Sequence, residues 1–429
     1  MKYPIGIQSF DQIIEDDFVY VDKTDLLYSL VKEGKIYFLS RPRRFGKSLL
    51  VSTLKNYFLG RKELFKGLRM DGLEKEWLTY PVFHVDFNGS DFTGPGELER
   101  KLEGYVATWE MEYGSSPAWT NVGDRFAAVL RRAHERTGRR CVVLVDEYDK
   151  PLLDVLDTGR ETTVDGNRIL LEERNRDLLK GFYSVFKAAD EDLRFVLLTG
   201  VTKFSQVSVF SGFNQPADIS MDAKYEALCG ITQEELDTCF AGPMAELAED
   251  YRVDVSEMRR MLKRRYDGYH FSKRMTDVYN PFSLLNAFAW RDIASYWFRS
   301  GTPTYLVRLL GHTREGLDEL TGRYYRPEEF VDYKADVERP LPMIYQSGYL
   351  TIKGYDREEN EFLLDFPNDE VEEGFLSVVA ADYFKTSEDA VSCARRLSKA
   401  LRSGDTEEFR KLLTSFLASI PYEMRRKED

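Results

Sequence analysis

Histidine and cysteine are scarce in this 429-residue chain, four of each, and neither type clusters. Cys141, Cys229, Cys239 and Cys393 lack the paired spacing of a zinc site, and Cys141 falls inside an apolar run, so neither a structural metal nor a disulfide framework is expected. His84, His134, His270 and His312 are scattered. Long apolar runs are missing too: none approaches the roughly 20 residues of a membrane span, and Met1-Lys2-Tyr3-Pro4-Ile5-Gly6 has no hydrophobic secretory core. These absences predict a cytoplasmic protein without a membrane segment. Positive charge is in deficit, with a formal net charge of −13, which argues against a broad nucleic-acid surface. Basic residues gather only locally, at Arg41/Arg43/Arg44, Arg131/Arg132, Arg139/Arg140 and Arg259/Arg260 with Lys263/Arg264/Arg265. The last run lies on an expected helix, where such charges read first as a solvated face.

Apolar material is ample, at 43% hydrophobic and 14% aromatic, enough for sizeable cores, and the length allows about three domains. The most informative segment is Arg41-Pro42-Arg43-Arg44-Phe45-Gly46-Lys47-Ser48. It ends in the Gly-Lys-Ser of a phosphate-binding loop, but Arg41 stands where the usual pattern has its first glycine. Lys35 to Ser40 reads as a buried strand leading in, and Ser48 to Phe58 as a helix leading out, with Leu49, Leu50, Leu54 and Phe58 on one face. In that context Gly46 lets backbone approach phosphate, the loop amides and helix N-terminus face the anion, Lys47 reaches the outer phosphates, and Ser48 ligates magnesium. Residues Arg41 to Leu49 would line the nucleotide. A Gly-Lys-Ser turn with a solvated lysine fits the same tripeptide, so a second site has to decide.

Cys141-Val142-Val143-Leu144-Val145-Asp146-Glu147-Tyr148-Asp149 supplies it. The apolar residues predict a buried strand whose carboxylates emerge at the edge where open α/β sheets bind ligands. Asp146 would hold magnesium and Glu147 would polarise the water attacking the γ-phosphate. Phe195 to Gly200 predicts a further strand, expected between the other two, whose tip carries Thr199, Thr202 and Lys203 as candidate γ-phosphate sensors. A hydroxyl-rich loop with no such role reads equally well there. Arg43 or Arg44 could act in cis on transition-state charge, or turn away to acidic residues such as Asp146 or Asp149.

Taken together, Tyr20-Val21-Asp22-Lys23-Thr24, the Arg41 to Ser48 loop, Val145 to Asp149, Leu198 to Phe204, Phe210 to Asn214, Tyr266 to Phe271, Tyr279 to Ser283, Gly301 to Thr304, Gln346 to Leu350 and Phe366-Pro367-Asn368 with Glu370-Val371 resemble the bacterial AAA-ATPase-like family. That family carries arginine in place of the first loop glycine. The resemblance implies an ATP-binding and ATP-hydrolysing core of AAA-like or STAND-like kind, with a nuclease-like domain of the PD-(D/E)XK class usually following. No Asp and Glu-x-Lys strand pair follows the last match here, so nuclease activity is not expected of these residues.

The expected architecture is α/β: a P-loop NTPase parallel sheet with helices on both faces, then a helical lid and a small winged-helix-like α+β module. The boundaries expected are 1–225 for the core, 226–310 for the lid, 311–385 for the module and 386–429 for a helical tail. Within these, Tyr20 to Thr24 is placed on the adenine side, Asp157 to Asn167 as a mobile loop, Ala217 to Ser220 as the last core strand, Thr232 to Glu235 as a helix-capping box, and Met343 to Ile352 with Phe362 to Phe366 as a hairpin. Gly301-Thr302-Pro303 resembles a turn that approaches adenine in STAND ATPases, which makes Pro303 a nucleotide-contact candidate; an ordinary turn is the alternative. The expected cofactors are ATP and magnesium, with catalytic candidates Glu147, Lys47, Arg44 and Thr199, and metal ligands Ser48 and Asp146. The expected function is hydrolysis driving a switch that regulates an attached or associated effector. The alternative is a slow or non-hydrolysing ATP-gated assembly, or a nucleic-acid-binding scaffold; oligomerisation stays open.

Overall fold

In the computed structural model of the chain, residues 1–116, 118–204, 216–300, 320–333, 339–384, 396–397, 399–400 and 403–419 are described. Helices α1 (Phe10–Glu15) and α2 (Thr24–Glu33) precede strand β1 (Ile36–Ser40), which runs into helix α3 (Lys47–Phe58). A short helix α4 (Arg69–Leu73) leads to β2 (Val82–Asp86), followed by α5 (Glu97–Tyr113), α6 (Val122–Thr137) and β3 (Cys141–Asp146). One turn of helix, α7 (Lys150–Leu153), a ribbon of β4 (Glu161–Val164) and β5 (Asn167–Leu170), and α8 (Leu171–Ala188) connect to β6 (Leu193–Gly200) and then β7 (Ala217–Asp218).

Strands β2, β3, β6, β1 and β7 lie side by side in that order, every pair parallel. β3 is buried along its whole length and β6 along nearly all of it, which is why both read as unbroken apolar runs. β6 sits between β3 and β1, as the sequence predicted. Right-handed crossovers place α3 on one face of the sheet and α5, α6 and α8 on the other. Packing agrees: Phe58 of α3 meets Phe195 of β6 at 5.2 Å, whereas Phe83 of β2 meets Trp109 of α5 and Phe126 of α6. This is the P-loop NTPase sheet covered on both faces. Because all strands run the same way, Ser40, Asp86, Asp146 and Gly200 finish at one edge, and the site is assembled there.

Past residue 230, β8 (Ile231–Thr232) and β9 (Val278–Tyr279) pair antiparallel and frame helices α9 (Gln233–Cys239), α10 (Ala241–Tyr251), α11 (Val255–Tyr266) and α12 (Pro281–Trp290). The expected capping box opens α9: Thr232 Oγ1 accepts from the Glu235 N–H, and the Glu235 carboxylate accepts from the Thr232 N–H. Apolar residues from Ile231 to Phe288 form a cluster of their own. Strands β10 (Arg323–Tyr325), β11 (Thr351–Asp356) and β12 (Glu361–Asp365) make a second antiparallel sheet with β12 in the middle. Its apolar side, through Tyr349, Leu350 and Ile352, belongs to the same cluster as the parallel sheet.

Several expectations change. Residues expected as a mobile loop at Asp157 to Asn167 instead contribute the β4–β5 ribbon, whose turn is Asp165-Gly166, both at positive φ (50° and 82°); an Asp-Gly pair favours such a turn. Met343 lies in a helix, Leu341–Gln346, not a strand. Gly348 at φ 88° ends that helix, with the Tyr349 N–H donating to the Ile344 carbonyl and the Gly348 N–H to the Tyr345 carbonyl, and only then does β11 begin. The last core strand is two residues long, Ala217–Asp218. The basic run on α11 is paired: Arg259 with Asp237, Arg260 with Glu257, Lys263 with Asp277, Arg264 with Asp369 and Arg265 with Glu373. Of the expected helical tail, Thr406–Ser419 is a helix; Ala390, Cys393, Ala394 and Leu401 lie outside the described residues.

Candidate functional site

The loop between β1 and α3 turns through two left-handed residues, Arg44 (φ 66°) and Gly46 (φ 93°). Gly46 caps α3, and a Cβ on it would meet nothing within 4 Å, so glycine is required there by backbone conformation and the space above it is open. Lys47 opens the helix and is buried, with its Nζ donating to the carbonyls of Arg41 (2.9 Å) and Pro42 (3.1 Å). Burial pulls the Lys47 ammonium below its ordinary range, and the carboxylates of Glu147, Asp146 and Asp149 pull it back up. Half-buried Ser48 follows on the first turn.

The carboxylates arrive from β3. Asp146 is 2% exposed, and its Oδ1 accepts from Thr199 Oγ1 at 2.6 Å and from the Glu147 N–H at 3.0 Å. The chain then turns at Glu147 (φ 50°), a conformation costly for a non-glycine residue and characteristic of functional turns. Burial raises the Glu147 carboxyl above its ordinary range; Lys47 opposes that shift and Asp149 adds to it. Asp149 is a brace: its Oδ2 accepts from the N–H groups of Val201 (3.0 Å) and Thr202 (2.6 Å), tying the tip of β3 to that of β6. Tyr148 does the same one residue earlier, its hydroxyl donating to the Thr202 carbonyl and accepting from the Phe204 N–H.

A cavity of about 380 Å³ opens over these groups, within the size of small-molecule sites. Arg43, Arg44, Gly46, Lys47, Ser48, Leu49 and Glu147 line it from the core, and Pro281 and Phe282 at the start of α12 line it from the helical cluster. A second, apolar chamber of about 110 Å³ adjoins it, sharing Gly46, Leu49, Pro281 and Leu285. Its walls include Tyr20 and Val21 from the entry segment and Ile231 and Phe240 from the helical cluster.

The predicted residues divide. Asp146, Glu147, Lys47 and Ser48 are brought together. The Arg41 guanidinium is not at the cavity: it is 1% exposed, donates to the carbonyls of Ser40, Ser220 and Tyr225, and lies 4.1 Å from the centre of the Phe271 ring. Pro42 and Phe45 also face inward, Phe45 against Tyr269 and Phe271. Arg44 reaches the cavity wall and stacks over Phe282 at 5.0 Å instead of turning to Asp146 or Asp149. Thr199 sits behind Asp146, and Lys203 is held by Asp218 (2.9 Å) and Asp332 (2.8 Å), away from the cavity. Pro303 and the Phe210 to Asn214 segment lie outside the described residues. Sequence reasoning missed Asn88 beyond β2 and the N-terminal Pro4 to Gln8, both on the cavity wall. Asn88 had a signal in its place after an apolar strand; Pro4 to Gln8 had none.

A family model described as "Predicted AAA-ATPase" matches residues 4–210, spanning both the loop and the carboxylate strand. A protein of Azotobacter chroococcum mcd 1, described as an uncharacterized protein in the vnfD 5′ region, is 37% identical over 428 residues, which is 99% of this chain and 79% of that one. The chain belongs to the predicted AAA-ATPase family. Among solved structures, the Aeropyrum pernix ORC1 protein in complex with DNA aligns with 85% of this chain and 95% of its own, at 13% identity and a TM-score of 0.28. At that level the likeness carries no argument about the site of this chain. Family membership and the sheet order together establish the nucleotide-binding fold; no helix among the described residues is long and apolar enough to cross a membrane.

Proposed function

We propose that the chain is a magnesium-dependent ATPase whose hydrolysis moves the helical segment and C-terminal sheet relative to the core. The observation that carries this reading is the meeting, at one cavity, of a buried lysine on the phosphate-loop helix and the half-buried Glu147 at the tip of β3, with buried Asp146 next to it in the chain and within electrostatic reach of the lysine. Lys47 is buried with only loop carbonyls as hydrogen-bond partners among the described residues, and the N-terminus of the 12-residue α3 opens beside it under free space. Both features suit the outer phosphates of a nucleotide. Ser48 and Asp146 are the residues that would hold magnesium, which would neutralise charge on the phosphates. Asp146 keeps its place through Thr199, so Thr199 serves as a positioning residue. Glu147 takes the proton of the attacking water: a carboxylate in a partly dry site is a stronger base than one in bulk water. Arg44, at the cavity wall, would offset the negative charge on the oxygens of the transferred group. The apolar chamber beside Leu49 and Val21 takes the adenine.

Of the division expected from sequence, a core to residue 225, a lid over 226–310 and a small module over 311–385, the lid has the support of a separate apolar cluster, while the C-terminal sheet is separate in its strand pairing but shares the apolar cluster of the core. We place the protein in the cytoplasm, where the movement would regulate an attached or associated effector. The test is steady-state phosphate release by the purified chain beside Lys47→Ala and Glu147→Gln. Lys47→Ala is expected to lose ATP binding. Glu147→Gln is expected to keep it while turnover falls by roughly a hundredfold or more. ATP binding without any release by the parent chain would leave the slow-switch alternative in possession, and no ATP binding would eliminate both.

A further inference from the structure

The phosphate loop is held from outside as well as from within. Arg44 is a non-glycine residue in left-handed backbone, a conformation that is unfavourable for a residue with a Cβ and persists only where the surroundings impose it. On its N-terminal side the Arg43 carbonyl accepts a hydrogen bond from Trp297 Nε1 at 3.0 Å, across 254 residues of sequence. Trp297 is 5% exposed, and its own main chain is fixed by one carboxylate: Glu370 Oε1 accepts from the N–H groups of Tyr296 and Trp297, the latter at 2.9 Å. Glu370 Oε2 accepts from Ser283 Oγ at 2.7 Å, and Ser283 lies one residue beyond Phe282, on which Arg44 stacks. Glu370 is 1% exposed and, among the described residues, makes no ion pair, Arg265 acting on it only at longer range; it stands in the first turn of the C-terminal helix Asp369–Phe384. Buried carboxylates without a cationic partner are expensive and are held in place by the hydrogen bonds they collect.

We propose that Trp297 and Glu370 are positioning residues of the phosphate-binding loop, coupling nucleotide affinity to the seating of the C-terminal helix. The inference rests on the ATP-binding reading above. In a planar trans peptide the carbonyl of Arg43 and the N–H of Arg44 point in opposite directions. Drawing the Arg43 carbonyl toward Trp297 therefore turns the Arg44 N–H toward the cavity side, where a phosphate oxygen can accept from it. Glu370 keeps the indole at the right depth by clamping the backbone that carries it, and Ser283 ties the same carboxylate to α12. Packing continues outward from Trp297 to Tyr349 (5.2 Å) and from Tyr349 to Phe375 (5.2 Å) on the C-terminal helix. Gly374 on that helix admits the Phe298 ring, since a Cβ there would come within 2.3 Å of it. A shift of the helix thus reaches the loop through a donor and not only through bulk contact.

The test measures ATP affinity and nucleotide-free thermal unfolding together in the full chain. Trp297→Phe keeps an aromatic ring and removes the donor; it is expected to weaken ATP roughly fivefold to tenfold while the unfolding temperature stays within about 2 °C of the parent. Phe126→Leu disturbs packing on the face of the parallel sheet opposite α3, off this path, and is expected to lower the unfolding temperature and leave ATP affinity unchanged. Should Trp297→Phe fail to fold, Ser283→Ala removes one donor from Glu370 and is expected to weaken ATP roughly threefold. Undiminished affinity in the folded Trp297→Phe, or equal loss of affinity in Phe126→Leu, overturns the inference while the ATPase reading stands. A parent chain that binds no ATP overturns both.

Discussion

At Gly200 there is no room for a side chain: a Cβ would lie 2.6 Å from Asp149 Oδ1 and 2.7 Å from the Tyr148 ring. The residue lets β3 and β6 close on each other so that Asp149 can reach the N–H groups of Val201 and Thr202. Gly200→Ala is expected to cost on the order of 2 kcal/mol of stability, read by denaturant unfolding, and to lower phosphate release by loosening the strand tip that carries Glu147. Glu147 itself predicts a pH dependence. Its carboxyl is raised by burial and must be ionised to accept a proton, so turnover should climb as pH rises through a value above the ordinary carboxylate range. The stability contribution has the opposite sign, because a group raised in the folded state favours folding at low pH and loses that contribution as pH rises through the raised value. A pH profile of phosphate release whose acid limb lies at the ordinary glutamate value would remove Glu147 from the role of base.

Among the elements, α11 ends beside a buried acid. The Asp267 carboxyl is pushed up to about 7 by burial, with its nearest cation, Lys263 Nζ, 3.8 Å away. Folding therefore takes up a proton there, and stability falls between the unfolded value near 3.8 and the folded value near 7. Asp267→Asn should flatten that slope and raise stability above neutral pH by on the order of 2 kcal/mol, measured as unfolding free energy against pH. Legibility differed by element for physical reasons. β1, β3 and β6 could be read directly because strands buried on both faces are continuous apolar runs, and the capping box of α9 because its signal lies within four residues. The β10 strand is short and half-exposed, with no periodicity to read, and the helix Leu341–Gln346 is bounded by Gly348, whose stop signal looks like an ordinary turn in sequence. Lys47, Ser48, Asp146 and Glu147 were legible because local sequence fixes them at strand and helix ends. The inward course of Arg41 was not, since its distant acceptors, the carbonyls of Ser220 and Tyr225, are 179 and 184 residues away.

Over the whole molecule, the core and the C-terminal sheet share one apolar cluster, while the helices from α9 to α12 have their own and meet the core around the cavity. A ligand bridging Lys47 and Phe282 should therefore stabilise the chain as a unit. ATP at a hundred times its dissociation constant is expected to add about 2.7 kcal/mol, seen as a higher unfolding temperature in the parent and absent in Lys47→Ala. The neutralised basic run on α11 fits the acidic net charge and predicts no salt-sensitive affinity for duplex DNA from that helix.

The bonds from Lys47 to the carbonyls of its own loop carry one more consequence. A lysine with two of its three donors already on carbonyls offers a small anion a single hydrogen bond unless it gives up those contacts, and so is a poor trap for one. Only a ligand that also fills the apolar chamber and meets the helix N-terminus returns more than it removes. In the ATPase reading, the loop is thus selective by exchange rather than attraction, and once the γ-phosphate is cut free the lysine can close back on its carbonyls and expel it.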